Sequence, residues 1–400
     1  MFVGRTQEIG LLESALLQTK LENPKHFALV GERGIGKSSL LFFLDHVARG
    51  SIKAGDGTEY NFLTLNLIVD PKDTPSSLVG RVALELKRQL KEVVTAKERF
   101  KRVFEFVTRW EAAGIKYKKA SSEDADTIED LADALLDFLK NSFATHSGVL
   151  LLIDEADKAV DAELGVFSKT LTERISRSDH NRFCLGLAGL PEVADVLKDS
   201  HESAPRIFET IELTTLSESE CDYVIDAGIR RAKEKASLEL TFTEDARGAI
   251  ATVADGYPHF IQQFAYSSVD ASDDDIIDLK DFNLGSFGIA GNTKKSAIHQ
   301  LGQKYFAAPV LEEIYSNDYR TLLRTMADNL DEWVDRATLL EKSGLRDTQL
   351  NNALSTLKTR KLIMPKKGEK GVYRLPTKSF AIWLKAILAN KYVRVGEPVE

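Results

Sequence analysis

Cysteine is nearly absent from this 400-residue chain, with Cys184 and Cys221 the only two. They form no C-x-x-C pair, which excludes a zinc site of the usual spacing. Cys184 stands in an apolar run, so both read as reduced structural thiols of a reducing compartment. Long apolar runs are missing as well. None approaches the roughly 20 residues that span a bilayer, and Met1-Phe2-Val3-Gly4-Arg5 carries no apolar signal segment. The expectation is a cytoplasmic protein without membrane contact. Bulk positive charge is lacking too, since 53 Lys and Arg stand against 61 Asp and Glu, a formal net charge of −8. The whole molecule therefore does not attract nucleic acid, and any such contact must come from a local patch. Repeats and low-complexity tracts are absent. The rest is ordinary for a globular protein, at a length that suggests two or three domains.

Apolar periodicity gives the organisation. Residues 6–22 have helical spacing, and His26–Val30 is a buried strand that runs into a glycine-rich turn. A helix over 38–49, a strand over 62–69 and a helix capped at Ser76 follow. Residues 87–119 are basic, from Lys87 to Lys119, and 121–137 are acidic in compensation. Two readings of that pair stay open: salt-bridged solvated faces, or a surface insertion that touches nucleic acid or a partner. Val149–Ile153, Phe183–Leu187 and Thr210–Leu213 read as further strands, the first nearly all aliphatic, as a parallel strand covered on both faces is. Strands alternating with helices point to an α/β sheet. After Ser217, which with Glu220 makes a capping box, the texture is helical. Another helix starts at Thr243 and ends at Gly256. Residues 270–295, rich in Asp, Gly, Ser and Asn, read as linker. The expected domains are 1–213, 214–280 as a helical lid, 281–318 as linker, and 319–400.

Two motifs carry chemistry. Gly31-Glu32-Arg33-Gly34-Ile35-Gly36-Lys37-Ser38, followed by Ser39, matches G-x-x-x-x-G-K-[ST] between an apolar strand and an amphipathic helix. Glycines let the backbone wrap closely and aim its N–H groups at phosphate oxygens. The helix N-terminus favours the anion. Lys37 is expected to reach the β- and γ-phosphates of ATP, and Ser38 to ligate Mg2+. The second motif is Leu150-Leu151-Leu152-Ile153-Asp154-Glu155, an aliphatic strand ending in two acids. It sets both carboxylates at the C-terminal edge of the sheet, where open α/β folds bind ligands. Asp154 is expected to hold the metal and Glu155 to act as general base. Residues 154–157 spell Asp-Glu-Ala-Asp, but no second RecA-like half follows, so a helicase reading is rejected.

Together with Phe2-Val3-Gly4-Arg5, Gly186-Leu187-Ala188-Gly189-Leu190-Pro191 and Gly256-Tyr257-Pro258, these motifs resemble the AAA+ and STAND branch of P-loop ATPases. The style is closest to archaeal-type ATPases and origin-recognition initiators. The resemblance covers about residues 1–265, and a winged-helix ending extends it to roughly 390. It implies an α/β P-loop NTPase fold of the ASCE, AAA+-like kind, with a parallel sheet, a helical lid and a C-terminal winged helix. It places Val3, Gly4 and Arg5 near the adenine and Pro258 over the nucleotide. Arg206 falls where an arginine finger acts across the interface of a homo-oligomer. Two positions depart from the pattern: Ala188-Gly189 stands where many members carry a polar sensor, and His259 where many place an arginine.

From 319 the order reads three helices, a strand at Leu362-Ile363-Met364, a basic turn and a returning strand at Val372–Leu375, similar to a winged helix. Between 338 and 385 eleven basic residues face three acids, a local excess of +8. Such a patch suits phosphate contacts. The third helix would offer Arg346, Gln349, Asn352 and Lys358, and the turn Lys366, Lys367 and Lys370. DNA binding and a protein-docking role both stay open. The reading is an ATP-dependent switch that binds DNA, oligomerises and recruits an effector protein. The alternatives are a STAND-like sensor acting on a protein in trans, or a DNA-binding regulator with structural nucleotide.

Overall fold

The sequence His26–Val30 is apolar after its first residue, and in the computed structural model it forms the strand around which the first unit is built. The structure describes residues 4–90, 101–112, 123–142, 144–288, 296–307, 310, 316–330, 332–366 and 368–389. The chain divides into two compact units, with the boundary between Thr214 and Thr215.

In the first unit the order is α1 (Thr6–Lys20), β1 (His26–Val30), α2 (Lys37–Ala48), β2 (Phe62–Ile68), α3 (Pro75–Leu90), α4 (Lys101–Ala112), α5 (Glu123–Ser142), β3 (Gly148–Asp154), α6 (Leu164–Ser176), β4 (Phe183–Gly189), α7 (Val193–Ser200) and β5 (Phe208–Glu212). The five strands form one parallel sheet in the order β2-β3-β4-β1-β5. Every residue of β4 is buried, and β3 is buried up to Asp154. That burial explains the unbroken aliphatic runs, because helices cover both faces of a parallel sheet. Gly186 of β4 leaves room for the Phe27 ring, which a Cβ at 186 would strike. The cap of α3 lies at Thr74, whose Oγ1 accepts from Ser77 N at 3.2 Å, and Ser76 lies inside the helix. Of the basic segment 87–119, residues 91–100 and 113–119 lie outside the described residues. Helix α4, within it, turns Val103, Phe106 and Val107 into the core.

The second unit runs α8 (Glu218–Ala236), β6 (Thr241–Phe242), α9 (Glu244–Ala254), α10 (Pro258–Ala271), β7 (Ile276–Ile277), α11 (Leu279–Phe287), α12 (Ala297–Leu301), α13 (Asn317–Ala327), β8 (Val334–Asp335), α14 (Arg336–Ser343), α15 (Asp347–Thr359), β9 (Met364–Pro365), β10 (Val372–Arg374) and α16 (Lys378–Ala389). One apolar core runs from Leu216 to Leu384. The stretch expected as linker differs from that expectation. It carries β7, α11, α12 and a π-helical turn at Gly302–Phe306, and it buries Phe282, Ile298, Leu301 and Phe306. Its acids misled because they serve as caps. Asp278 accepts from Lys280 N and Asp281 N, and Asp281 accepts from Asp278 N, a reciprocal box that starts α11. From α13 onward the order is helix, strand, two helices and a hairpin, with a three-stranded sheet β8-β10-β9. Strand β8, between the first two of those helices, was not among the elements expected from the sequence.

Candidate nucleotide-binding site

Strand β1 lies between β4 and β5, so the turn that leaves it opens beside the C-terminal ends of its neighbours. Gly34 (φ 81°) and Gly36 (φ 104°) take left-handed conformations that a side chain would strain. Gly36 is the N-cap of α2 and offers no side chain, so the first N–H groups of that helix stay available. Gly31 is pressed against the chain after β5: a Cβ there would lie 2.8 Å from the Leu213 carbonyl oxygen. Glu32, Arg33, Ser38 and Ser39 are exposed around the loop, and Ile35 is buried beneath it.

Lys37 Nζ donates to the carbonyls of Gly31 at 2.7 Å and Glu32 at 2.9 Å, folding over the mouth of the loop. Burial pulls its pKa below the ordinary lysine value, and the carboxylates of Asp157 and Asp154 oppose that pull. Ser38 Oγ donates to Asp154 Oδ2 at 2.6 Å, across the end of β4. The two motifs, 116 residues apart in sequence, thus meet through a hydroxyl and a carboxylate. Asp154 Oδ1 accepts from Glu155 N at 2.8 Å. Glu155 has a left-handed backbone (φ 57°), and its carboxylate takes Lys158 Nζ at 2.5 Å.

This crossing requires β4 to end in small residues. A Cβ on Gly189 would lie 2.5 Å from Val193 Cγ2 and 2.6 Å from Asp157 Oδ1. Asp157 Oδ1 accepts from Leu190 N at 2.9 Å. A polar sensor side chain at 189 has no space, because Asp157 already fills it from the neighbouring turn. Sequence reading passed over Asp157 and Lys158. The spacing of Glu155 and Lys158, three apart, was the available signal.

Arg5 does not project freely. Its guanidinium is 5% exposed, donates to Ile35 O at 3.3 Å and to the carbonyl of Thr214, and pairs with Glu8 at 3.3 Å. It clips the start of α1 to the underside of the phosphate loop. Gly4 (φ 74°) leads into it, and Val3 lies outside the described residues. Arg206 is exposed on the 3-10 turn Ala204–Ile207 that enters β5, an edge strand, and its side chain makes no hydrogen bond or ion pair among the described residues.

Residues 1–183 match the family described as AAA ATPase domain. This chain carries an AAA ATPase domain. Two solved structures show the same fold over nearly the whole chain. One is a Walker-type ATPase of Pyrococcus abyssi, 16% identical, covering 96% of both chains with a TM-score of 0.55. The other is the ORC2 protein of Aeropyrum pernix in its ADPNP–ADP complexes, 14% identical, covering 96% of this chain and 95% of that one with a TM-score of 0.54. No curated protein matches the chain. The second unit holds the remaining expected residues. Pro258 is the first residue of α10, after the N-cap Tyr257. His259 Nε2 accepts from Lys304 Nζ at 3.2 Å, and burial followed by the Lys304 charge lowers its pKa. On α15, Asn352 and Lys358 are exposed. Arg346, expected on that helix, is its exposed N-cap and donates to Gln349 Oε1 at 3.1 Å. Gln349 Nε2 is held by Asp318 at 2.9 Å. In the wing turn Lys370 is exposed and Lys366 pairs with Glu369 at 2.6 Å, while Lys367 lies outside the described residues. No helix among the described residues is long and apolar enough to cross a membrane.

Proposed function

We propose that the chain is an ATP-hydrolysing switch that binds duplex DNA through its winged-helix segment, assembles with copies of itself, and acts on a partner protein. The observation that carries the ATPase reading is the Ser38–Asp154 hydrogen bond of 2.6 Å beside Lys37. Hard oxygens are the donors magnesium takes, and no cluster of three His, Cys, Asp or Glu stands among the described residues. That fits an ion held by Ser38, Asp154 and the phosphates of the substrate. When bound, Mg2+ neutralises charge on the transferring phosphoryl group. The loop amides from Gly31 to Ser38 hold the phosphates. Lys37 exchanges its two carbonyl partners for phosphate oxygens, and Glu155 orients and deprotonates the attacking water. Arg206 faces a neighbouring copy's nucleotide, where a guanidinium stabilises transition-state charge. Gly4 and Arg5 place the backbone near the base, and Pro258 belongs to the lid.

DNA binding is carried by the local charge of +8 and by α15. Arg346, Asn352 and Lys358 meet a groove and its phosphates, Gln349 supports Arg346, and Lys366, Lys367 and Lys370 extend along the backbone. A second reading is favoured by one contact. Glu155 is engaged by Lys158 at 2.5 Å, which suits a protein-sensing switch with little resting turnover.

The test is the ATP hydrolysis rate of the purified chain with and without duplex DNA, with Glu155→Gln as the blank. Turnover that rises with DNA and vanishes in the variant supports the first reading. Turnover indifferent to DNA, or none above the blank, moves the protein to the second. Nucleotide-dependent growth in size supports assembly, and a constant monomer removes it.

A further inference from the structure

The small sheet of the second unit has a second surface that the groove-reading helix does not use. Tyr373 lies opposite Val334 on β8 and opposite Pro365 on β9. One residue on, Arg374 lies opposite Met364, and the same register brings Trp333 to its other side. Lys366 N donates to Val372 O at 2.9 Å, continuing the pairing. Side chains alternate across a sheet, so Trp333, Arg374, Met364 and Lys366 share one face. Val334 is buried on the opposite face. The Trp333 face is the outer one: Trp333 is 38% exposed and Met364 41%.

The chemistry of that face is aromatic and cationic. The Arg374 guanidinium lies 4.8 Å from the Trp333 ring centroid, and Lys366 Nζ lies 6.0 Å from it. Both are cation–π distances. Among the described residues the Arg374 side chain has no hydrogen bond or ion pair, and its Nε is buried without a partner. The nearby acids are engaged. Asp335 accepts from Thr338 N at 2.9 Å and Thr338 Oγ1 at 2.7 Å, and Glu369 pairs with Lys366.

We propose that this face binds single-stranded nucleic acid, with an unpaired base against Trp333 and flanking phosphates on Arg374 and Lys370. A duplex presents base edges in its grooves, which suits the amides of α15. An exposed indole braced by a guanidinium presents a π face, and only an unstacked base has its own face free to meet it. The uncompensated Arg374 supplies the planar donor that phosphate takes in bidentate fashion.

The inference extends the nucleic-acid reading, and one experiment separates the two. Fluorescence anisotropy of the full chain is measured with a short thymidine oligonucleotide and with a duplex, at one salt concentration. Trp333→Ala is expected to weaken single-strand binding about tenfold, the scale of one lost base–aromatic stack, and to leave duplex binding nearly unchanged. Trp333→Phe keeps a ring, is expected to retain most of the affinity, and guards against loss through misfolding of the wing. Indole emission should fall as the oligonucleotide binds, and that quenching should vanish in Trp333→Phe. Equal weakening of both ligands by Trp333→Ala overturns the proposal. Duplex binding without single-strand binding sinks this inference alone. Trp333-dependent single-strand binding without duplex binding sinks the groove reading alone.

Discussion

The phosphate site of the first unit and the wing of the second are both built from charged side chains at strand ends, yet they are held in opposite ways. In the first, the central polar groups have partners: Lys37 on two carbonyls, Ser38 on Asp154, Glu155 on Lys158, Asp157 on Leu190 N. In the second, Arg374 leans on an aromatic face and Lys370 is exposed on a turn. The roles proposed for them ask for two kinds of phosphate recognition. Chemistry on one phosphoryl group demands groups fixed in place before the substrate arrives. Contact along a polyanion gains from charge that stays loose and adapts, and is screened by salt.

The largest effect expected from that contrast is on turnover. Glu155→Gln should lower ATP hydrolysis by about 10²–10⁴-fold, the usual contribution of a positioned base, while nucleotide binding and nucleic-acid affinity persist. A variant that also loses nucleic acid would show the two regions to be one machine. Lys37→Ala should abolish nucleotide binding, read by titration with a fluorescent ATP analogue.

Acid should act on the first unit before the second. His26 opens β1 beside Phe183 and Phe208, accepts from Leu185 N at 3.1 Å, and burial lowers its pKa to about 4. The folded pKa lies below the unfolded 6.5, so the unfolded chain binds the extra proton first. Stability is complete above pH 6.5 and is lost as pH falls toward 4, by about 3 kcal/mol in full. His26→Asn should flatten that decline in urea melts at successive pH values. An unchanged decline would assign acid sensitivity elsewhere.

A polar sensor can be forced onto β4 to ask whether its absence is chemistry or packing. Gly189→Ser should destabilise the first unit by about 1–3 kcal/mol, because the new Cβ meets Val193 and Asp157. Thermal melting reads it. Retained stability with faster hydrolysis would mean that the side chain finds room and the chemistry wanted it.

The two regions also differ in how far sequence alone reveals them. Gly31–Ser38 and Leu150–Glu155 are legible because close backbone approach and a buried parallel strand each permit few residue types. The parallel sheet follows from those aliphatic runs. The hairpin is legible as two short strands around a basic turn, but its outer face is not, since that face arises from the register that brings Trp333, 41 positions earlier, beside Arg374. The linker reading of 270–295 missed α11 because Asp278 and Asp281 look the same in sequence whether they cap a helix or face solvent. Likewise Gly189 reads as a missing sensor until Asp157 is seen in its place.

The smallest effect tests whether dense pairing in the first region prepares the base or restrains it. Lys158 holds Glu155 at 2.5 Å, and the two side chains are 35% and 45% exposed. A pair so open contributes about 1 kcal/mol at most, so Lys158→Met should change basal hydrolysis by about fivefold. The direction decides the role. A carboxylate tied to an ammonium is oriented away from the attacking water, so removal of Lys158 should raise the resting rate and leave KM unchanged. A pair that only orients Glu155 would instead give a slower enzyme, restored by Lys158→Arg. The wing should register neither outcome: nucleic-acid affinity without nucleotide should match the parent chain.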